Sequence, residues 1–452
     1  MLAMGQMDRD SPGQVPSVLY TWPAGRAPQV WLEAVADDGS ALPPLACPGT
    51  ERARGRQLWR VPEVPANAAR VSFRAAGPGG QTEARLGTWE RDGRAWRHVP
   101  DLPGTPLRML GLRLIDWCNL RCRMCGQVPR WERMTARQAV AGALRLPRLR
   151  SLLEEAVAMR PAVYLWGGEP FLHPDIVPLI RTIRELGMHC TINTNGTTLT
   201  AHAAALAEAP PDLLIVSVDG PPEVHEQIRR MPGLFRRVRE GLHRLRQAAG
   251  RQVRIQINTV VLRENLPRLR EMPAVAEDLM ADALEFQLPM FLTPQMLAEY
   301  RQQAQTCFGV DGASATGFLD DSPPPDPAEV WQAVCEAGRN ARIPVTLWPP
   351  LGEEQVRTYF TQPALPTRSG CRLPWDSLWL EPDGRVVPCP DYPDVAVGDA
   401  ASAGLAEVRW GEPMRRFRRT LMELGHLSVC AKCCQLHQDF QPKVPLTGGL
   451  LR

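Results

Sequence analysis

Between residues 110 and 288, apolar runs of β character alternate with longer helical patterns. Residues 110–117, 162–166, 190–193, 213–218, 253–261 and 283–288 read as strands. Residues 135–159, 174–186, 199–207, 222–248 and 265–278 read as the helices between them. Strands apolar throughout, each followed by a helix, build a parallel sheet covered by its own helices. Six units fall short of the eight, in about 250 residues, that close a full barrel. An α/β fold with a partial (βα)6 TIM-type barrel over 107–290 is expected.

The flanks read differently. Residues 17–105 carry short runs rich in Val, Trp, Leu and Phe, broken at Asp37-Asp38-Gly39, Gly77-Pro78-Gly79-Gly80 and Asp92-Gly93. That pattern suits a small β-sandwich-like accessory domain. Trp22, Trp31, Trp59, Trp89 and Trp96 are expected in its packing, with a binding face as the functional alternative. Residues 1–16 read as a loose start, 291–369 as a connecting region, 370–436 as a small α+β domain and 437–452 as a tail.

Composition narrows the function. The 52 Lys+Arg against 49 Asp+Glu leave a formal charge of +3, which argues against a nucleic-acid binder. No stretch nears the ~20 apolar residues that span a bilayer, and the first residues lack a basic-then-apolar signal pattern. A cytoplasmic protein is expected. Lysine occurs only at 432 and 443, which argues against a lysine-anchored pyridoxal in the barrel.

The chain has 12 cysteines, and in a reducing compartment clustered cysteines suggest metal sites. Cys118, Cys122 and Cys125 follow the first strand as C-x-x-x-C-x-x-C. Three thiolates on one tight loop suit three irons of a [4Fe–4S] cube, leaving the fourth open. A zinc loop is the alternative, although structural zinc asks for four protein ligands. The other strands end on the same rim in Gly167-Gly168-Glu169-Pro170, Asn193-Thr194-Asn195-Gly196, Ser217-Val218-Asp219-Gly220, Asn258-Thr259 and Gln287. Active sites of βα barrels lie at that rim.

The triad, the Gly-Gly-Glu-Pro turn and the Ser-Val-Asp-Gly turn resemble the radical S-adenosylmethionine (radical SAM) superfamily. Residues 221–229 and 257–261 resemble its branch with SPASM or twitch C-terminal domains. The resemblance covers 107–290 and, more loosely, 370–434. It implies that Cys118, Cys122 and Cys125 hold a [4Fe–4S] cluster whose open iron takes S-adenosylmethionine. It also implies that Gly167, Gly168 and Pro170 bring backbone to the methionine moiety and that Glu169 accepts from its ammonium. Asn195, Ser217 and Arg229, with Asn258 beside them, are implied for the ribose and carboxylate. The position before the third cysteine, often aromatic in the superfamily, is Met124 here.

A second set comprises Cys371, Cys389, Cys430 and Cys433. Twelve residues separate Cys371 from Gly384 and four separate Gly384 from Cys389. A hairpin near Pro382-Asp383-Gly384 brings the first pair together, and C-x-x-C supplies the other two. Spacing alone leaves a cluster or a zinc site open. The resemblance points to a twitch-type domain with one auxiliary [4Fe–4S] cluster. Cys434 is a substitute ligand or a spare thiol. Asp376, Glu381 and Asp391 flank this set as candidate proton acceptors.

The resemblance implies reductive cleavage of S-adenosylmethionine to a 5′-deoxyadenosyl radical that abstracts hydrogen from a substrate. The leading expectation is an oxidoreductase or epimerase acting on a small, sugar-like molecule, supplied by an electron donor such as flavodoxin or ferredoxin. The alternatives are a maturase that oxidises or cross-links peptide side chains and, remotely, a non-catalytic metal scaffold.

Overall fold

A computed structural model describes residues 107–366 and 371–434 in full, and the backbone of eight strands between residues 17 and 99. The chain divides into Met1–Thr105 and Pro106–Arg452. In the first unit, Ser17–Thr21, Arg56–Arg60 and Gly49–Ala53 form one antiparallel sheet. Ala41–Ala46, Gln29–Ala36, Ala68–Ala76, Glu83–Asp92 and Ala95–Val99 form another. The expectations for its tryptophan side chains, and for residues 1–16 and 437–452, lie outside the described residues.

The second unit is built on strands β1 (Met109–Arg113), β2 (Ala162–Trp166), β3 (Cys190–Thr194), β4 (Leu213–Ser217), β5 (Arg254–Val260), β6 (Ala283–Gln287) and β7 (Val345–Trp348). Each pairs in parallel with the next. On the far side of β1 follow β8 (Ser377–Leu380), β9 (Arg385–Val387) and β10 (Gly398–Asp399). The sheet runs β7-β6-β5-β4-β3-β2-β1-β8-β9-β10, an open partial barrel. It exceeds the six expected strands at both ends. β7 comes from the region read as a connector, and β8 joins the barrel by pairing in parallel with β1.

Alternation along the strands separates two faces. Leu110 and Leu112 of β1, and Val163 and Leu165 of β2, are buried in the large core under the helices. Met109, Tyr164 and Trp166 face the lumen with Trp379 of β8. Gly111 is small because Trp379 covers it: a Cβ there would lie 2.1 Å from the ring. The helices begin where local chemistry starts them. Thr135 and Gln138 cap each other ahead of Ala136–Ala141, and Asp326 accepts from the Ala328 and Glu329 amides ahead of Pro327–Asn340.

Candidate active site

The triad loop is clamped between the first two strand ends. Gly168 N donates to Ile115 O at 2.9 Å and Glu169 N to Trp117 O at 3.0 Å. The approach leaves no room for side chains, since a Cβ on Gly168 would lie 2.0 Å from Trp117 O. Gly167 has φ +141°, a backbone region that suits glycine. Pro170 opens the short turn Pro170–Leu172 that follows.

Amide and guanidinium N–H groups are aimed at the thiols. Cys118 Sγ accepts from Leu120 N at 3.4 Å and from Asn195 Nδ2 at 3.5 Å. Cys122 Sγ accepts from Arg229 Nη1 at 3.7 Å, and the Gln127 amide serves Cys125. Burial pushes the Cys118 thiol up to about 12 and Cys125 up to about 11. Burial also raises Cys122, against the nearby Arg229 charge. Buried sulfurs ringed by N–H donors suit thiolates that carry charge to a metal centre.

Glu169 is 1% exposed. It accepts from Phe171 N at 3.1 Å, Thr194 Oγ1 at 2.7 Å and Asn195 N at 2.7 Å. Burial outweighs these donors and lifts its carboxyl to about 7. Two carboxylate oxygens accept about four bonds, so one place remains for a ligand's N–H.

The other implied S-adenosylmethionine contacts divide. Asn195 Oδ1 accepts from Thr197 N and Thr197 Oγ1, and its Nδ2 also donates to Asn119 Oδ1. Its amide is spent on the triad loop. Arg229 holds Asp219 at 2.6 Å. Ser217 Oγ lies 3.5 Å from Asn193 Oδ1. Asn258 donates to Gln287 at 2.8 Å, and its own buried Oδ1 has no hydrogen-bond partner among the described residues.

Four further residues that the sequence reading passed over brace the loop. Arg113 Nε donates to Asp116 Oδ1 at 2.7 Å and Arg113 Nη2 to Gln127 Oε1 at 2.9 Å. Arg130 reaches Asp116 Oδ2 at 2.9 Å and also pairs with Glu381. The Arg113 guanidinium stacks 4.6 Å over the Trp166 ring. An arginine inside the apolar run before Asp116 was the available signal.

The second cysteine set assembles at the other end of the lumen. Trp379 of β8 pairs with Val387 of β9, so Cys389 comes level with the start of β8. Cys371 lies close by, within electrostatic reach of Asp376, Cys430 and Cys433. Cys371, Cys389, Cys430 and Cys433 all line one cavity, with Tyr300, Leu373, Tyr392 and Leu427 among its other walls. Among the described residues, no three His, Cys, Asp or Glu side chains close around a single ion. Burial raises the thiols of Cys371 and Cys389 and pushes Cys430 up to about 12. Cys434 is not part of the cavity wall. It bonds to the Trp348 and Cys433 side chains and lies within reach of Asp391.

The three candidate proton acceptors are far from equivalent. Asp376 sits before β8, at the end of the barrel away from the triad. It is 2% exposed, and among the described residues no other side chain hydrogen-bonds its carboxylate. Burial raises it to about 6, against Arg372 at 3.9 Å. Glu381 is committed to Arg130. Asp391 lies within electrostatic reach of the lumen residue Tyr164 and of Cys389 and Cys434. Burial raises it to about 6, opposed by the Arg113 charge.

Residues 112–273 match the model of the radical SAM superfamily, and 371–434 match that of an iron–sulfur cluster-binding domain, SPASM. The AdoMet-dependent heme synthase of Oleidesulfovibrio alaskensis is 34% identical over 179 residues, 38% of this chain and 44% of the relative. That of Methanosarcina barkeri is 33% identical over 190 residues, 40% and 51% of the two chains. The PqqA peptide cyclase of Gluconobacter oxydans is 30% identical over 191 residues, 41% and 49%. The chain thus spans about half the length of the curated relatives it matches. The crystal structure of Streptococcus suis SuiB shares the fold, with a TM-score of 0.52 at 15% identity over 73% of this chain and 72% of that one. No helix among the described residues is long and apolar enough to cross a membrane. The chain carries a radical SAM domain at residues 112–273, whose cofactors are a [4Fe–4S] cluster and S-adenosylmethionine, and an iron–sulfur cluster-binding SPASM domain at 371–434.

Proposed function

We propose that this chain is a radical SAM oxidoreductase or epimerase whose substrate is a polar, sugar-like small molecule held in the lumen. Cys118, Cys122 and Cys125 hold the first cluster, and Cys371, Cys389, Cys430 and Cys433 hold one auxiliary cluster. The observation that carries the reading is the lumen between them. Beyond Ser217 and Asn258, which serve the cofactor, it presents the Asn193 and Gln287 amides and the Glu285 carboxylate with Gln256 and Thr346 beside it. Aromatic rings stand beside them, with Tyr164 and Trp166 edge-on to Trp379 at 6.1 and 5.8 Å. Polar groups next to aromatic faces suit a ring bearing hydroxyls.

The bound cofactors supply hydrogen-atom abstraction at an unactivated C–H and a store for one electron. The protein's own groups bind and orient. Glu169 takes the ammonium of S-adenosylmethionine at its free acceptor position, while Gly167, Gly168 and Pro170 bring backbone to it. Ser217 and Asn258 Oδ1 serve its ribose. Asp391 receives the proton if the product is oxidised, because it is the candidate acceptor within electrostatic reach of the lumen residue Tyr164. A small redox protein of the flavodoxin or ferredoxin kind delivers electrons.

A peptide substrate is the second reading, favoured by the similarity to a PqqA peptide cyclase. Anaerobically reconstituted protein decides between them. Incubated with amino sugars or with short peptides, it should release 5′-deoxyadenosine above background with the sugars. In deuterated water, epimerisation places deuterium in the sugar and oxidation does not. Turnover with peptides alone would sink the small-molecule reading.

A further inference from the structure

The three triad sulfurs receive different donors. Cys118 and Cys125 take N–H groups from neutral amides. Cys122 takes one from a guanidinium, Arg229 Nη1, at 3.7 Å. That arginine is not free to swing. It is 8% exposed, and its Nε is held by Asp219 Oδ2 at 2.6 Å. Asp219 is itself fully buried and fixed on three sides. Its Oδ1 accepts from Val260 N at 3.0 Å, its carbonyl accepts from Asn265 Nδ2 at 2.8 Å, and its amide donates to His225 Nδ1 at 3.2 Å. The helix Pro222–Arg229 also grips the triad loop by backbone, with Arg123 N donating to Ile228 O at 3.0 Å. The guanidinium is therefore locked against one sulfur by the turn after β4 and by β5.

We propose that Arg229 is a positioning residue that sets the reduction potential of the cluster on the triad, through its charged N–H bond to the Cys122 sulfur. This rests on the reading that Cys118, Cys122 and Cys125 hold that cluster. Hydrogen bonds to ligand sulfurs and nearby charge are the protein's levers on cluster potential. Reduction adds negative charge to the cluster, and a cation at a ligand sulfur favours that state. Charge-assisted bonds are roughly twice as strong as neutral ones, so Arg229 outweighs Asn195 on Cys118. The alternative role, gripping the carboxylate of S-adenosylmethionine, would fall to Nη2, since Nε and Nη1 are held by Asp219 and Cys122.

The test is an EPR-monitored redox titration of reconstituted full-length protein without S-adenosylmethionine. The first cluster's signal is identified by its change when S-adenosylmethionine is added afterwards. Arg229→Met should shift the reduction equilibrium at least tenfold toward the oxidised form, a fall of 59 mV for one electron. Arg229→Lys keeps the charge and should fall by less, and Asn195→Ala should shift it less than Arg229→Met. If Arg229→Met takes up no iron, Arg229→Gln, which keeps an N–H donor but not the charge, decides, and a potential equal to wild type overturns the proposal. Full iron, unchanged potential and weakened S-adenosylmethionine binding in Arg229→Met would also overturn it, in favour of the carboxylate role. A wild type without iron at the triad overturns both this proposal and the reading beneath it.

Discussion

The two cysteine sets lie at opposite ends of one barrel and are built by different routes. The triad lies within eight residues of one loop, and the loop's own amides at Leu120 and Gln127 serve two of its sulfurs. The second set draws on three separated places in the chain, and its cavity is walled by residues from Tyr300, the segment 371–395, Phe417, Leu421 and the stretch 427–433. A local site depends on a few backbone bonds. A composite site depends on the whole fold around it, and its partners in the sequence are correspondingly hard to read.

The largest contrast is in metal and activity. Replacing Cys118, Cys122 and Cys125 by Ala should remove about four of about eight irons and abolish cleavage of S-adenosylmethionine. Cys430→Ala/Cys433→Ala should remove about four irons as well, yet leave reductive cleavage without substrate in place. Cys434→Ser should keep the full iron content, because its thiol lies off the cavity wall. Iron and zinc analysis after anaerobic reconstitution reads all three. Four irons and one zinc in wild type would make the second set structural and break the comparison.

Next in size is the brace between the two regions. Arg130 joins Asp116, two residues before Cys118, to Glu381 at the end of β8. Glu381 is 2% exposed. Arg130 keeps Asp116 when Glu381 is removed, so Glu381→Ala should lower the urea midpoint by less than the loss of a sole partner of a buried charge would. A variant of wild-type stability with lost turnover would return Glu381 to the catalytic candidates.

The reach of the sequence follows the same division. The triad, the Gly-Gly-Glu-Pro turn and six strands were legible because each is local: a spacing, a turn or a period of apolar residues. β7 was not, since Val345–Trp348 is four residues long and gains its meaning from pairing with β6. The attachment of β8 to β1 was equally invisible, because hairpin chemistry near Gly384 says nothing about a third strand. Asn195 and Arg229 were found as rim residues, but their partners were not. Which sulfur or carboxylate a side chain meets is settled by contacts across 77 and 10 residues of chain. Asp376, Glu381 and Asp391 looked alike until burial and partners separated them.

Glu169 sharpens the comparison by pH. Its carboxyl rises from 4.5 to about 7 on folding, chiefly through burial. The folded chain therefore keeps a proton that the unfolded chain loses. This contribution is fully present below about pH 4.5, fades as pH rises towards 7, and amounts to about 3 kcal/mol. Glu169→Gln should flatten that part of the stability curve. Binding of S-adenosylmethionine should tighten between pH 6 and 8 as the carboxylate forms, and a pH-independent dissociation constant would remove Glu169 from the ammonium site.

The smallest effect is expected at a solvent-screened ion pair. Asp175 accepts from Arg145 Nε at 2.7 Å, Arg145 Nη2 at 2.9 Å and Leu146 N at 3.0 Å. These bonds, the Arg145 pair first, hold its carboxyl at about 2. Its stabilising contribution is present above the unfolded value near 4 and lost as pH falls through about 2. Arg145 is 55% exposed on its side chain, so solvent screens the pair and Asp175→Asn should cost no more than about 1 kcal/mol at neutral pH. A loss as large as that of Glu381→Ala would mean that the bond to Leu146 N, which starts the helix Leu146–Ala156, matters more than the ion pair. The stability of the barrel would then depend on its helix starts as much as on its buried braces.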